Sequence, residues 1–357
     1  MANRRTFVKN AAGAVAGVLL ADRSVRKVIA AGAQSSAAAG RRQVTVGGRR
    51  VKVIDVHCHC IVPGVAEMMG QTTANNPALV MGTDRLKQMD AQGIDVEALS
   101  INPTWYGADL EVARKLIKFQ NEKLAEFCAA HSDRFVGFAT AALQHPDLAA
   151  EQVEDGVKRL GLRGVSVGAS VAGEELANPK FHPFWAKVES LGVPVFMHPQ
   201  GTPELRTRLQ GNGVLTNVIG NPLDTTIALS HLIFEGTLDQ FPRLKICSAH
   251  GGGYLPSYAD RSDHGCLTFP EQCTKTLKKR PTEYLKQLYF DSLIFTGEAL
   301  RHLIAQAGIS QIVLGTDYPF PWTTTAVDHV LGTPGLSDAD KVAILGGNAS
   351  RLLGIAA

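Results

Sequence analysis

The sequence predicts an α/β protein that closes into a (β/α)8 barrel of the TIM type. Short apolar or β-branched runs alternate along the chain with longer segments of helical periodicity, and eight such runs can be counted. Alternation on this scale is typical of a parallel sheet with helical crossovers, and eight units are enough to close the sheet into a barrel. The length of 357 residues suits one such domain with an additional segment, because barrels of about 250 residues fold as single domains.

The predicted strands are short and are separated by segments of helical length. They cover Val51–Val56, Asp95–Ser100, Phe135–Thr140, Gly164–Val167, Val193–Met197, Leu244–Ser248, Leu288–Asp291 and Gln311–Gly315. The predicted helices are Leu110–His131, Ala149–Leu160, Phe181–Leu191, Thr225–Phe241, Glu298–Ala307 and Asp338–Leu353.

An open, doubly wound sheet is the alternative fold. It is disfavoured in its nucleotide-binding form because no Gly-x-Gly-x-x-Gly follows the first strand.

The first 33 residues differ in composition from the rest of the chain. A pair of arginines, Arg4-Arg5, precedes an apolar run from Ala11 to Ala21, and small residues recur at Ala31-Gly32-Ala33. This order of charged, apolar and small residues is typical of a secretory signal, and the arginine pair predicts the twin-arginine type. The apolar run is shorter than the ~20 residues that span a bilayer, so we expect no stable membrane insertion.

These features divide the chain into three predicted parts. Residues 1–33 are a twin-arginine-type signal, residues 34–50 a linker, and residues 51–357 the barrel domain. We therefore expect the twin-arginine export machinery as a partner and a periplasmic or secreted location. If the segment is instead an ordinary basic tail, the protein is cytoplasmic.

The composition excludes several classes of protein. A hydrophobic content of 45% and a charged content of 19% exclude a disordered chain. The 36 basic and 33 acidic residues leave a net charge of +3, which does not indicate a nucleic-acid partner. Six cysteines in so long a chain do not make a disulfide framework, so we expect them to be mostly unpaired. Cys266 and Cys273 are the candidates for a single bridge in an exported protein.

Two histidines follow the first predicted strand, at His57 and His59. Side chains at positions i and i+2 of a strand point to the same face, so both imidazoles can face a common ligand. Imidazole nitrogens are common zinc ligands. His-x-His is a short motif, however, and two polar residues at a fraying strand end are an equally good interpretation of it alone.

Three further strands end in residues of ligand type. His198 follows the fifth predicted strand, His250 the sixth and Asp317 the eighth. A lone histidine after a strand is more often a hydrogen-bonded core residue than a ligand. Here, however, all of these strands end on the face where barrel enzymes place their active sites. We therefore predict that the five residues share one metal site at the carboxyl ends of the strands.

These residues, together with four short segments, resemble the amidohydrolase superfamily. The resemblance is closest to its branch related to 2-amino-3-carboxymuconate-6-semialdehyde decarboxylase, and it extends from about Val53 to Gly354. The segments that carry it are Met89–Asp95, Ala249–Gly253, Gly315–Pro321 and Gly347–Ala349. The run Gly-Thr-Asp-Tyr-Pro-Phe-Pro within the third segment is the most discriminating.

The resemblance implies a mononuclear metal site and a homodimer. It implies that His57, His59, His198 and Asp317 bind one divalent ion, with zinc favoured over manganese, and that His250 acts as the base. Binuclear relatives carry a lysine on the fourth strand, and the segment Leu162–Gly168 has none. Asp317 would also take part in proton transfer.

Arg261 and two tryptophans are the candidate substrate-binding residues. Arg261 lies eleven residues after His250, as does an arginine that binds the substrate carboxylate in that branch. Its guanidinium group suits a carboxylate, although a surface arginine is the alternative interpretation. Trp105 and Trp322 follow the second and eighth predicted strands, where they would line an aromatic pocket or simply pack within loops.

Two reactions are compatible with this site. The first is non-oxidative decarboxylation of a small aromatic or unsaturated carboxylic acid by a metal-dependent carbon–carbon lyase. The second is hydrolysis of a small ester, lactone or amide, with Asp317 passing a proton to the leaving group. The metal residues serve both reactions. The decarboxylase is our prediction and the hydrolase is the alternative, and the complete five-residue set disfavours a binding protein without catalysis.

Overall fold

The computed structural model describes residues 40–70 and 76–356, and it contains eight parallel strands in barrel order. The strands are β1 Ile54–His59, β2 Val96–Ser100, β3 Phe135–Gly137, β4 Val165–Gly168, β5 Pro194–His198, β6 Lys245–Ser248, β7 Tyr289–Asp291 and β8 Ile312–Val313. Each corresponds to a predicted strand, with boundaries that differ by three residues or fewer.

The sheet closes on itself. Strands β1 to β3 form one parallel ladder, and β4 to β8 form a second one. Parallel bridges join the two ladders at both seams, between Ala139 and Val165 and between Asp55 and Leu314. The predicted (β/α)8 barrel is therefore confirmed, and all eight strands present their carboxyl ends at the same face.

The helices follow the strands in the alternation expected of this fold. They are α1 Leu86–Gln92, α2 Leu110–Ala130, α3 Pro146–Lys158, α4 His182–Leu191, α5 Asn221–Phe234, α6 Asp260–Thr268, α7 Pro270–Thr274, α8 Pro281–Tyr284, α9 Gly297–Ala307, α10 Ala326–Gly332, α11 Asp338–Val342 and α12 Asn348–Leu353. Single helical turns also occur at Val65–Met68 and Thr237–Gln240. Among the described residues, none of the helices has both the length and the apolar character that a membrane crossing requires.

Two predicted helices are interrupted. The predicted helix Thr225–Phe241 is divided between α5 and the turn Thr237–Gln240, because Gly236 adopts a φ of +80°, a left-handed conformation that ends helices. The predicted helix Asp338–Leu353 contains a π-helical turn at Ala343–Gly347 between α11 and α12. Periodicity alone does not reveal either change.

The barrel interior is closed beneath the carboxyl-end face by aromatic rings. Phe138 on the β3 side and Phe196 of β5 stack with centroids 5.7 Å apart and an interplanar angle of 14°. Phe196 also lies 5.1 Å from the His57 ring, centroid to centroid. Both phenylalanines are fully buried, so the packed core of the barrel extends directly beneath the candidate site.

Residues 40–50, the described part of the predicted linker, pack against the barrel. Thr45–Val46 and Arg49–Arg50 pair as a short antiparallel ribbon, and the side chains of Val44 and Val46 are buried in the main core. Arg41 and Arg50 both form ion pairs with Asp95, which precedes β2. The predicted signal at residues 1–33 and residues 34–39 lie outside the described residues.

Candidate metal centre and active site

The five candidate residues meet at the carboxyl ends of four strands. His57 and His59 belong to β1, His198 ends β5, and His250 and Asp317 follow β6 and β8. The His57 ring lies 5.0 Å from the ring of His59, 5.2 Å from that of His198 and 5.0 Å from that of His250, measured between centroids. Residues up to 260 positions apart in the sequence therefore form one cluster.

Asp317 lies at the centre of this cluster. Its Oδ1 is 2.8 Å from His59 Nε2 and 3.1 Å from His57 Nε2, and its Oδ2 is 3.5 Å from His250 Nε2. One potential ligand atom from each of His57, His198, His250 and Asp317 lies within 4.8 Å of all the others. His250 belongs to this group, whereas His59, one of the ligands implied by the family resemblance, is not in it and contacts Asp317 from the side.

The charges in the cluster favour a cation at its centre. Burial by itself lowers the pKa of His57, but the carboxylates of Asp317 and Asp291 outweigh this effect and raise the pKa to about 10. Burial would raise the pKa of Asp317, yet the surrounding imidazoles, with His57 the strongest, hold it well below its usual range. The cluster therefore keeps a carboxylate ionised and stabilises positive charge beside it.

His198 provides the clearest indication that the cluster is suited to a metal ion. Burial lowers the pKa of His198 well below its usual range, so its ring is neutral. Neither of its ring nitrogens has a hydrogen-bond partner, although the side chain is buried. Buried polar atoms normally have a partner, and a neutral imidazole nitrogen is a ligand for divalent metals. The donor set of imidazoles and one carboxylate therefore fits such an ion.

Two residues of the cluster have strained backbones. His250 adopts a φ of +54° and Asp317 a φ of +62°, in the left-handed region that non-glycine residues rarely occupy. Strain of this kind is found at functional sites, where the surrounding structure maintains it. After His250 the chain also needs glycine, because a Cβ on Gly253 would lie 2.1 Å from the carbonyl oxygen of Pro222.

Asp291, the last residue of β7, is a further member of the site, and the sequence pattern did not indicate it. Its Oδ2 accepts a hydrogen bond from His57 Nδ1 at 2.5 Å, and both side chains are fully buried. The sequence placed Asp291 at a strand end, as it did Asp317, and this position was the available signal. The partner, His57, is 234 residues away, so the contact itself could not be inferred.

Asp55 and Thr316 join β1 to the segment that carries Asp317. The hydroxyl of Thr316 donates to Asp55 Oδ2 at 2.5 Å, and its backbone amide donates to Asp55 Oδ1 at 3.2 Å. The amide of Asp317 donates to the carbonyl of His57 at 2.7 Å. These bonds fix Asp317 relative to the two histidines of β1.

A buried ion pair supports the other side of His59. Arg85 donates to Glu97 Oε2 at 2.9 Å, and its second terminal nitrogen donates to the carbonyl oxygen of His59 at 2.6 Å. Both charged side chains are about 1% exposed. The backbone of His59 is therefore held from the β2 side of the barrel.

The three candidate substrate-binding residues lie in different surroundings. Trp105 is 1% exposed, and its indole nitrogen donates to the carbonyl of Ala141 at 2.9 Å. Trp322 is 38% exposed, with its ring 6.2 Å from that of Phe295. Arg261 lies in the first turn of α6, and its guanidinium carbon is 5.9 Å from the centre of the Tyr258 ring.

Comparison with known proteins identifies the family. The family profile described as Amidohydrolase matches residues 54–355, a range that includes all eight strands and the whole histidine–aspartate cluster. The chain belongs to this amidohydrolase family. The predicted resemblance is thereby confirmed, and the barrel with its strand-end cluster is the expected architecture.

Decarboxylases are among the proteins that this amidohydrolase resembles. A 2-amino-3-carboxymuconate-6-semialdehyde decarboxylase from Dictyostelium discoideum is 29% identical over 313 residues, which cover 85% of this chain and 84% of that protein. A gamma-resorcylate decarboxylase from Rhizobium sp. (strain MTP-10005) is 32% identical over 280 residues, covering 75% of this chain and 85% of that protein.

A solved structure extends the similarity to the three-dimensional level. The dihydroxybenzoic acid decarboxylase from Polaromonas sp. JS666, solved with bound manganese and the inhibitor 2-nitroresorcinol, superposes with a TM-score of 0.76 at 27% identity. The superposition covers 85% of this chain and 97% of that one. The amidohydrolase described here is an enzyme, and its histidine–aspartate cluster is its candidate active site.

Proposed function

We propose that this amidohydrolase is a metal-dependent, non-oxidative decarboxylase of a small aromatic or unsaturated carboxylic acid. One observation carries the proposal: five strand-end residues converge on a single buried cluster in a chain whose relatives are decarboxylases. The fold alone would not decide the reaction. The hydrolase alternative has less support, because the relatives described above are all carboxy-lyases.

The proposed division of roles separates metal binding from proton transfer. His57, His59, His198 and Asp317 are the proposed ligands of one divalent ion, and His250 is the proposed acid–base residue. The side chain of His250 is 16% exposed, whereas those of His57 and His59 are at most 2% exposed. That difference supports the assignment, because an acid–base residue must reach a substrate whereas a ligand can be enclosed.

The reaction needs no oxidant. A bound divalent ion would act as a Lewis acid toward the oxygens of the substrate. His250 Nε2, with Asp317 Oδ2 3.5 Å away, delivers a proton to the carbon that bears the carboxylate. That carbon binds the proton with the π electrons of its own ring or double bond. The bond from the carbon to the carboxyl group then breaks, CO2 leaves, and the electron pair of the broken bond re-forms the double bond. Positioned proton transfer of this kind typically contributes ~10²–10⁴-fold to a rate.

The substrate is proposed to be a small carboxylate held partly by Arg261. A guanidinium group binds a carboxylate through two parallel hydrogen bonds, and Arg261 lies on α6 in the segment that follows His250. Trp322, which is partly exposed, and Trp105 are the proposed aromatic contacts. Trp105 is buried in the main hydrophobic core, so its proposed role is to pack behind the substrate pocket.

Zinc is the proposed metal. Three imidazoles and one carboxylate form a nitrogen-rich donor set, which suits zinc, whereas manganese favours oxygen ligands. The Polaromonas relative binds manganese, so the two ions must be compared directly. Reconstitution of the metal-free protein with each ion, followed by measurement of affinity and turnover, tests the preference.

Export through the twin-arginine pathway and assembly as a homodimer are also proposed. Cys266 and Cys273 form a disulfide between α6 and α7, and disulfides persist mainly in oxidising compartments. Near that disulfide, Leu267 is 79% and Phe269 61% exposed. Exposed apolar side chains next to one another support a surface that a second subunit covers. Light scattering of the purified protein measures the subunit number.

The assignment of the reaction is tested with purified, metal-loaded enzyme and a panel of substrates. Hydroxybenzoic and muconate-type acids are assayed for CO2 release, and matched esters and lactones are assayed for hydrolysis. We expect CO2 release that a chelator abolishes. Ester or lactone hydrolysis without any CO2 release would replace the decarboxylase by the hydrolase alternative.

A further inference from the structure

We infer that Asp291 is a positioning residue that sets the metal affinity through His57 and holds the backbone of His250 in its strained conformation. The inference rests on the proposed metal site, but not on the identity of the reaction. Asp291 ends β7, so it reaches the cluster from a strand that supplies none of the proposed ligands.

Asp291 orients the His57 ring. His57 Nδ1 donates to Asp291 Oδ2 at 2.5 Å. In the neutral ring that a metal binds, this bond keeps the proton on Nδ1 and leaves Nε2 with the free lone pair. His57 Nε2 faces the cluster, 3.1 Å from both His59 Nε2 and Asp317 Oδ1. A carboxylate behind an imidazole ligand fixes its tautomer and increases its basicity toward a metal.

Asp291 also holds the backbone of His250. The backbone amide of His250 donates to Asp291 Oδ2 at 2.9 Å, and the next amide, Gly251 N, donates to Asp291 Oδ1 at 2.8 Å. His250 has a φ of +54°, a conformation that needs external support. One carboxylate therefore holds both a proposed ligand and the proposed acid–base residue in place.

Gly315 lies where the side chains of Asp291 and His57 approach each other, and its lack of a side chain leaves room for them. A Cβ at Gly315 would lie 2.8 Å from Asp291 Cβ and 2.9 Å from His57 Cβ, which is closer than such atoms approach one another. Gly315→Ala therefore displaces Asp291 relative to His57 without removing any polar atom of the pair.

The test measures metal affinity in the absence of substrate. Asp291→Asn keeps the size of the side chain but removes its charge. It also replaces one acceptor oxygen by an NH2 group, so that either His57 Nδ1 and His250 N or Gly251 N and Leu293 N lose their acceptor. Equilibrium competition with a chelator gives the metal Kd. We expect the Kd to rise ~10–100-fold, the usual effect of losing such a carboxylate. A folded Asp291→Asn protein that binds metal as tightly as the wild type would overturn the inference.

Asp95→Asn is the matched control. Asp95 is also a buried carboxylate that accepts a backbone amide hydrogen bond, from Val53 N at 2.7 Å, but it lies before β2, at the opposite end of the barrel. We expect its metal Kd to remain within about twofold of the wild-type value. An equal loss of affinity in both variants would mean that Asp291 acts only through general stability.

A double variant separates orientation of the ligand from other effects. In a His57→Ala background, Asp291→Asn should cause no further loss of metal affinity, because the ring that Asp291 orients is absent. An additional loss as large as that in the wild-type background would show that Asp291 acts by another route. None of these measurements depends on substrate, so a hydrolase would give the same result and the two proposals fail independently.

If Asp291→Asn does not fold, the wild-type protein still tests the inference. The ¹⁵N and ¹H resonances of the imidazoles in the metal-loaded protein report the tautomer of each ring. We expect one metal-bound histidine with a slowly exchanging, hydrogen-bonded Nδ1 proton, and Gly315→Ala should weaken its protection. A His57 ring that carries its proton on Nε2 would contradict the proposed orientation.

Discussion

Among single residues, His250 is the one whose substitution can distinguish a role in proton transfer from a role in metal binding. Its Nε2 lies 3.5 Å from Asp317 Oδ2, yet it also belongs to the group of four residues whose ligand atoms lie within 4.8 Å of one another. We predict that His250→Asn lowers kcat by ~10²–10⁴-fold, the usual contribution of general acid–base catalysis, while the bound metal remains. Metal analysis of the purified variant alongside its kinetics checks this. Loss of the metal would make His250 a ligand.

Arg261 provides a second residue-level prediction. Arg261→Ala should raise KM for a carboxylate substrate with little change in kcat, because a substrate clamp acts on binding. The matched control is Arg280→Ala, since Arg280 lies in the same segment after β6 and pairs with Glu283 at the surface. We expect the control to retain the wild-type KM. An unchanged KM in Arg261→Ala would return Arg261 to the role of a surface residue.

The sequence could predict only those site residues that a local pattern identifies, namely a ligand-type residue at the end of an apolar strand. His57, His59, His198, His250 and Asp317 each follow an apolar strand, so their convergence could be expected from the barrel. Asp291 also ends a strand, but its importance comes from hydrogen bonds to His57, His250 and Gly251. Contacts over such long separations are set by tertiary packing, which local pattern does not encode.

Among the secondary-structure elements, the turn after β5 is held by a buried carboxylate, Asp224 of α5, which should affect the free energy of unfolding. The backbone amides of Gln200 and Gly201 donate to Asp224 of α5 at 2.8 and 3.1 Å, which fixes the turn that follows His198. Burial nevertheless raises the pKa of Asp224 to about 7, although these hydrogen bonds oppose the rise. The unfolded chain has a value of about 4 for an aspartate.

This difference predicts a pH dependence of defined sign. Between pH 4 and pH 7 the folded protein binds more protons at Asp224 than the unfolded chain does, so the free energy of unfolding falls as the pH rises. We predict that Asp224→Asn flattens this part of the stability curve, measured by urea unfolding at several pH values. Parallel curves for the variant and the wild type would contradict the prediction.

The elements themselves were predictable to different degrees. The strands could be located because β-branched and apolar runs are distinctive, and the end of β1 extends to His59 since Cys58 and His59 pair with β2. The ribbon at residues 45–50 could not be predicted. Its strands are two residues long, and the ion pairs of Arg41 and Arg50 with Asp95 that accompany it depend on the finished barrel.

For the molecule as a whole, the proposed export and the disulfide can be tested together. If the proposed signal is correct, Arg4-Arg5→Lys-Lys should retain the protein in the cytoplasm, because the twin-arginine machinery recognises a signal by its arginine pair. The exported wild type should begin near residue 34 and carry the Cys266–Cys273 bridge, which intact-mass analysis with and without reductant detects. Unprocessed wild-type protein confined to the cytoplasm would contradict the export proposal.

In the proposed reaction, this amidohydrolase breaks a carbon–carbon bond with the help of a metal ion and replaces the lost carboxyl group by a proton. The most direct test is turnover of an accepted acid in D2O, with CO2 and product measured together, before and after removal of the metal. We predict that one CO2 is released and one deuterium is incorporated per substrate consumed, and that this turnover is lost on chelation and restored by added metal. Substrate loss without CO2, or turnover that continues in the metal-free protein, would contradict it.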